Sequence, residues 1–586
     1  MKNRIFVFIC IFSLIFTSCS DSFLENDPTS KIDGIYAFKN EATVDAYRIG
    51  MYSQLAYNRN GALYTLFLPL LGDILGEDMV YGYQWYKHYQ AEYTFKVTPD
   101  SSGPWQLWSQ AYYSVEMCDN LINRDLSKVK GLSSNKANQY KAEAMVIRAM
   151  VMTDIARFFG KAYREDKTYL ANPYVDKLLY DPKDPDNITY TKRTSVESIY
   201  KKAIADIKKA LELGLKQITK DSDAAFITEQ SAHAILSRIY LDMAGEVGSK
   251  EERTYLPLAK SEAKDAMAGR KLMSQKEFWN GGLSTFNSES ILTFQIDKNK
   301  MSKWRVFHSF HDNYDGMGDD FLADKRIVEN NKWYKTIFKD VTSDGAKVEM
   351  AFGDMRKAFF VGEIIAWHKV EKRNVPLTYT GLMSAYDEFN GSSFKTMLKS
   401  FVELRKEEKN YHGYYMYGKF PRKDKRMGGD ESSNRGSLAL GDYSYIRGSE
   451  MELIIAECNA RLGINQDEAI NKWKSIASRM WYAGNLAEKN EMGGNDVSFD
   501  TVFSHEINYT GKDLIDLILL ERRKELLGEG HRFRDILRLG LGVDRLLPET
   551  GHYEDGLVDI EASDSKLVFP APQEECNANE NISNGK

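Results

Sequence analysis

Cysteine is scarce in this chain, with 5 in 586 residues. That excludes a scaffold stapled by disulfides. There is no Cys-x-x-Cys and no Cys/His cluster, so the spacing of a zinc site is missing too. Surplus positive charge is also lacking. Lys and Arg number 78 against 84 Asp and Glu, a net charge of −6. A mildly acidic chain has no general attraction for phosphate backbones, which argues against nucleic acid as a partner. Beyond the N-terminus no apolar run reaches the length of a membrane span. The motifs that announce catalysis are missing as well: no Gly-x-Ser-x-Gly, no Walker A loop, no dinucleotide fingerprint and no His-Glu-x-x-His. What remains is ordinary globular composition, 43% hydrophobic and 28% charged, in a chain long enough to bury a large core. Aromatics make up 12%, including 34 Tyr and 9 Trp. They need an explanation.

The N-terminus sets the compartment. Lys2 and Arg4 precede an apolar run from Ile5 to Phe16 that only Ser13 interrupts. A stable membrane span needs about 20 apolar residues, so this run has the length of a signal peptide instead. Thr17 and Ser18 then lead directly into Cys19. Small residues followed by Cys resemble a bacterial lipobox, where the mature chain starts at the Cys and carries lipid (palmitate). Residues 1–18 are therefore expected to be a lipoprotein signal peptide, with Cys19 the attachment point. Ser20 to Ser30 is polar, holds Pro28, Asp21, Glu25 and Asp27, and reads as an extended leash. Cys118 and Cys458 fall inside helical patterns and read as small buried thiols, and Cys576 is grouped with them.

Helical periodicity dominates the rest. Thr194 and Glu197 form a capping box ahead of a stripe at Val196, Ile199, Tyr200, Ala203, Ile207, Ala210 and Leu211, with Gly214 placed to end it. A second helix follows Thr228 and a third runs from about Pro257 to Gly269. Such pairs suggest tetratricopeptide-like hairpins. Earlier helices are expected over 105–124 and 135–160. Later ones are expected over 443–462, after a cap of Asn465 with Glu468, and over 512–527. Residues 281–440 are loop-rich, with short strand-like runs at 290–296, 359–367 and 411–417. Long ordered loops are where function concentrates.

Three late segments carry a joint pattern: SYIRGSEMELIIAECNARLG (444–463), ILLERRKELLGEGHRFRDILRLG (518–540) and KLVFPAPQEECNANENIS (566–583). With AEAMVIRAMVMTDIARFFG (142–160), and a lipobox followed by Phe23-Leu24, the chain resembles the SusD/RagB family of Bacteroidetes surface lipoproteins that capture nutrients. The resemblance implies a mainly α fold: a helical body with tetratricopeptide-like helix pairs and a loop-rich region with a few short strands. It implies an N-terminal helical region over 19–280 and a C-terminal domain over 281–586 that contains the loop-rich 281–440. It implies an outer-membrane, surface-facing position, a partner of the SusC type (a TonB-dependent transporter) and a glycan ligand. It implies no catalysis and no cofactor.

Several residue clusters that look like functional sites have plainer readings. Glu521, Glu525 and Glu529 are spaced like a catalytic carboxylate set, but Arg522, Arg523, Arg532, Arg534 and Arg538 surround them and would hold them ionised, which unsuits a general acid. A structural ion-pair network is expected. His308 and His311 with Asp312, Asp315, Asp319 and Asp320 fail the calcium-loop pattern at Leu322, so no metal is assigned. Trp105, Trp108, Trp473 and Trp481 read as core. Two aromatic clusters do not read as helix stripes. One holds Tyr81, Tyr83, Trp85, Tyr86 and Tyr89, and the other holds Trp304, Phe307, Phe310 and Tyr314 with Arg305 and Asn313. A sugar ring has an apolar C–H face that a flat aromatic matches and hydroxyls that polar neighbours take. Tyr81, Tyr83, Trp85, Tyr86, Trp304, Arg305, Asn313 and Tyr314 are the expected glycan contacts. The expected function is glycan capture and delivery to the transporter. A lid for peptide or another nutrient is the alternative, and a surface glycosidase a more distant one.

Overall fold

Amphipathic runs in this chain fold as helices, and the short β-branched and aromatic runs between them fold as strands. The computed structural model describes residues 36–57, 62–81, 89–181, 184–279, 282–296, 442–482, 498–546 and 556–583, with Asp354, Arg356 and short strand segments between 321 and 416. The described residues up to Gly50, together with Asp125–Ala137, form one compact unit, and Met51–Arg124 with the residues from Asn138 onward form another. In the first, Asn40 caps helix α1 (Glu41–Ala56). Its Oδ1 accepts from the Thr43 amide at 3.1 Å, and Thr43 Oγ1 accepts from the Asn40 amide at 3.1 Å.

The second unit holds α2 (Leu68–Ile74), strand β1 (Met79–Tyr81), α3 (Ser102–Asn123) and all but the first residues of α4 (Ser134–Phe159). The α4 stripe at Ala142, Ala149, Met152, Ile155 and Phe159 is buried, as its spacing predicts. Next come α5 (Val196–Leu213), α6 (Glu229–Ala244) and α7 (Glu252–Ala266). These pack in sequence. Buried Ala259, Ala263 and Ala266 keep α7 thin enough for Ser237 Oγ to donate to the Ala259 carbonyl at 2.9 Å.

Three helix starts differ from expectation. Ser195, not Thr194, caps α5: its hydroxyl accepts from the Ser198 amide, while Thr194 Oγ1 is taken by the Tyr174 amide at 3.0 Å. α7 begins at Glu252, so Pro257 lies inside the helix and forfeits one backbone bond instead of marking the start. Asn465 makes no side-chain cap. It sits at φ 45°, in the left-handed region, and Glu468 accepts instead from Asn459 Nδ2 at 2.9 Å.

Strands form in the expected runs at β2 (Ser290–Phe294), β6 (Phe360–Val361), β7 (Ile365–His368) and β9 (Gly413–Met416), and four unexpected ones lie among them: β3 (Phe321–Asp324), β4 (Ile337–Lys339), β5 (Glu349–Asp354) and β8 (Arg373–Pro376). A further strand, β10 (Tyr443–Arg447), replaces the first turn of an expected helix. Its aromatic and β-branched residues pair antiparallel with β2, Tyr443 opposite Phe294, and all five are buried. Only then does α8 (Gly448–Leu462) start, followed by α9 (Gln466–Arg479) and β11 (Trp481–Tyr482). The sheet orders are β1-β3-β9-β6 and β8-β7-β4-β5-β11, with β10-β2 as a separate pair. α10 (Gly511–Glu525), α11 (Arg532–Leu539) and α12 (Gln573–Ala578) close the chain. Trp473, Trp481, Phe499, Phe503, Leu514 and Ile518 share one core cluster, so both late tryptophans are core, as expected. The fold is mainly α with a few short strands.

Candidate ligand-binding site

The carboxylates that most resemble a catalytic set are fully committed. Arg447 donates from Nε to Glu529 at 2.8 Å and from Nη1 to Glu525 at 2.7 Å, and it also reaches Glu289 at 3.3 Å. Arg356 donates from one nitrogen to Glu521 at 2.7 Å and to Glu525 at 2.9 Å. Arg238 holds Glu450 at 2.6 and 2.9 Å, and Arg538 holds Glu457 at 2.6 and 2.9 Å. Burial alone would raise these carboxyls. In Glu521, Arg356 and Lys524 outweigh it, and in Glu450, Arg238 and Arg522 do, so both stay below the usual carboxylate range. An acid held ionised has no proton to give. An ion-pair network forms, as expected, but its pairing differs: Glu521, Glu525 and Glu529 are held by Arg356, Lys524, Arg447 and Arg479, while Arg522, Arg523, Arg532, Arg534 and Arg538 reach Asp535, Asp78, Glu77, Asp242 and Glu457.

Metal chemistry has one foothold among the described residues. His233, Glu262 and Asp265 bring potential ligand atoms within 4.8 Å of one another. His233 Nδ1 already lies 2.6 Å from Glu262, an ion pair that accounts for both groups. His308 and His311, with their acidic neighbours, lie outside the described residues.

So do Cys19, Tyr83, Trp85, Tyr86, Trp304, Arg305, Asn313 and Tyr314. Of the expected glycan residues, only the Tyr81 backbone is described. That backbone is informative. β1 pairs antiparallel with β3, with Tyr81 opposite Phe321 and Met79 opposite Ala323. The chain leaves β1 at Tyr81, the first member of the first aromatic cluster. It enters β3 at Phe321, just after the second. The two segments thus share one anchor point, with backbones about 5 Å apart across the pair.

A second feature is a groove along α3. Trp105, Trp108 and Tyr112 recur at helical spacing on one face, and the chain at Val175–Leu179 and Glu575 of α12 face them across a cavity of about 310 Å³. Trp108 is buried: it packs edge-on against Phe159 at 4.9 Å, and its Nε1 donates to Glu575 Oε2 at 3.3 Å. Tyr112 donates to the Pro173 carbonyl at 2.7 Å. Trp105 departs from the core role expected of it and is 37% exposed, while Tyr113 is 57% exposed. For Tyr113 the signal was in the spacing. Tyr112 and Tyr113 are adjacent, about 100° apart around a helix, so a single buried face cannot hold both. Asp119 lies one turn further along this wall. Its Oδ1 accepts from Arg148 Nη1 at 2.6 Å, but its Oδ2, although buried, has no hydrogen-bond partner among the described residues. Such an atom costs about 1–3 kcal/mol. Burial pushes the Asp119 carboxyl up to about 7, against the pull of Arg148.

Comparison with known proteins agrees with this architecture. The SusD family matches residues 252–584, and a family described as starch-binding associating with outer membrane matches residues 22–241. A SusD-like protein of Bacteroides ovatus is 25% identical over 50% of this chain and 50% of its own length, so the chain spans half of that relative. SusD-like protein P2 of Formosa agariphila is 22% identical over 92% of both. Among solved structures, a SusD superfamily protein from Bacteroides thetaiotaomicron is similar with a TM-score of 0.64 at 21% identity, covering 93% of this chain and 100% of that one. A SusD-like carbohydrate binding protein from Bacteroides vulgatus gives 0.61 at 20% identity, covering 93% and 98%. The match over more than half of its length shows that the chain belongs to the SusD family.

Proposed function

We propose that this protein captures oligo- or polysaccharide at the cell surface and hands it to a SusC-type TonB-dependent transporter, without cleaving it. In this reading residues 1–18 are removed and Cys19 carries the lipid that holds the protein on the outer membrane. The regions 19–280 and 281–586 are the two parts of the family architecture. The observation that carries the reading is the β1–β3 pair, which tethers both aromatic segments at one point. Trp85 is four residues from Tyr81, and Tyr314 seven from Phe321, and a chain reaches up to about 3.5 Å per residue. Both clusters can therefore reach a common ligand. Aromatic faces would stack on sugar rings, with Arg305 and Asn313 on hydroxyls. The carbohydrate binding protein from Bacteroides vulgatus and the starch-binding family description point the same way. The ion-pairing of Glu521, Glu525 and Glu529 supports binding over hydrolysis, because a glycosidase needs a free carboxyl pair.

Calorimetry against a panel of polysaccharides, with a reducing-end assay on the same samples, tests this. Binding without release of reducing sugar is expected. Trp85→Ala with Trp304→Ala should weaken it at least tenfold with the unfolding midpoint unchanged. Release of reducing sugar by pure protein would overturn the non-catalytic reading, and binding of peptides but no glycan would favour a peptide lid.

A further inference from the structure

The α3 groove is lined by Trp105, Tyr113, Glu116, Asp119, Lys177 and Glu575 among the described residues and has the chemistry of a binding site. Two flat side chains, Trp105 and Tyr113, are exposed on it, although aromatic side chains of this size are normally covered in a folded chain. Its charged lining is mostly acceptor: Glu116, Asp119 and Glu575 against one cation, Lys177. Glu575 accepts from Trp108 Nε1 and Asn579 Nδ2. Asp119 supplies a buried oxygen that nothing among the described residues satisfies. A ligand that suits these walls has an apolar face for the rings and several donors for the carboxylates. It carries no negative charge, which the acids would repel. The volume of about 310 Å³ is at the small end for ligand pockets, so it takes one ring and not a chain.

We propose that this groove is a second saccharide subsite that holds one neutral hexopyranose unit, stacked on Trp105 or Tyr113, with hydroxyls donated to Glu116, Asp119 and Glu575. The proposal rests on the glycan reading for the source of the sugar, but on none of the loop residues for its contacts. A site of this size and exposure binds a lone sugar weakly, with dissociation constants of about a millimolar.

The test is saturation-transfer NMR on the full mature chain. Methyl glycosides of glucose, galactose and mannose serve as probes, with glucuronate and tetramethylammonium as controls. At least one methyl glycoside should bind. Its signal should survive in the Trp85→Ala/Trp304→Ala variant and fall at least fivefold in Trp105→Ala/Tyr113→Ala. Tyr113→Phe, which keeps the ring, should retain it, and thermal midpoints of all variants confirm folding. Binding that is lost with the loop residues and kept without the groove residues would overturn the subsite while leaving the glycan reading standing. No methyl-glycoside signal in the parent chain would overturn the subsite too, and polysaccharide calorimetry would still judge the first reading. Glucuronate binding as well as the neutral sugars would overturn the charge argument. Tetramethylammonium binding in place of any sugar would make the groove a cation site.

Discussion

Arg447 is 1% exposed, and a guanidinium so deeply buried is tolerable only when its donors are all met. Here they are, by Glu525, Glu529 and Glu289 side chains and by the Glu525 carbonyl. The energetic weight lies less in the attraction than in what removal would leave behind. Arg447→Ala would strand buried Glu525 and Glu529 short of a partner, and breaking a buried pair in this way costs about 3–5 kcal/mol. Urea denaturation should show that loss as a lower midpoint at unchanged slope. Arg447→Lys should recover little, because an ammonium is a point charge and cannot hold two carboxylates in a planar fork. Full recovery by Lys would mean that charge alone matters here. The sequence announced a charge network but not its pairing, since Arg522 shares a helix with Glu521 and Glu525 yet binds Asp535. It could not announce Arg356, which arrives from 165 residues away to bind Glu521.

At the scale of elements, the close seat of α2 against the turn between α10 and α11 depends on two glycines. A Cβ on Gly72 would lie 2.1 Å from the Gly530 carbonyl oxygen, and one on Gly530 would lie 2.4 Å from Pro69 Cα. Gly530 also sits at φ 79° and donates its amide to Asp73 at 3.1 Å. Both obstacles are backbone, which cannot swing aside. Gly72→Ala should therefore destabilise by about 1–3 kcal/mol. Gly214→Ala, with a positive φ of 95° but nothing within 4 Å, should cost only the backbone strain of about 1–2 kcal/mol. Paired denaturation curves would compare them, and an unaffected Gly72→Ala protein would refute the close packing. Elements with a strong local signal were legible: the α4 stripe, the strand at 290–294, the glycine stop of α5. Those decided by a distant neighbour were not. Ser195 became the cap because Tyr174 claimed Thr194, and β10 formed because β2 was there to pair with it. The candidate sites divide the same way. The aromatic excess was visible, but the exposure of Trp105 depends on how α3 is rotated against α12, which only packing sets.

For the molecule as a whole, buried ion pairs make stability a function of pH. Glu289, Glu450, Glu457, Glu521 and Asp535 are buried, which would raise them, yet their arginines hold all five below their ordinary values of 4.5 for Glu and 3.8 for Asp. A carboxyl lowered in the folded state contributes fully above its unfolded value, and that contribution is lost as pH falls below it. His531 adds to the same arm. Burial lowers it from 6.5 to about 3, so acidification protonates the unfolded chain first. Asp119 and Glu92 act in the opposite sense. Burial raises both, so the unfolded state gains on them as pH climbs above the ordinary carboxylate value. Between about pH 4.5 and 6.5 these contributions offset one another. Below about 4.5 the five lowered carboxyls act together, and Asp119 and Glu92 cease to oppose them once the pH passes their own ordinary values of 3.8 and 4.5. The urea midpoint should accordingly change little from pH 6.5 to 4.5 and then fall steeply towards pH 3. Glu450→Gln should start lower and show a shallower acid slope, since one of the five titrating groups is gone. A midpoint that holds level down to pH 3 would mean that the arginine cluster leaves these carboxyls near their ordinary values.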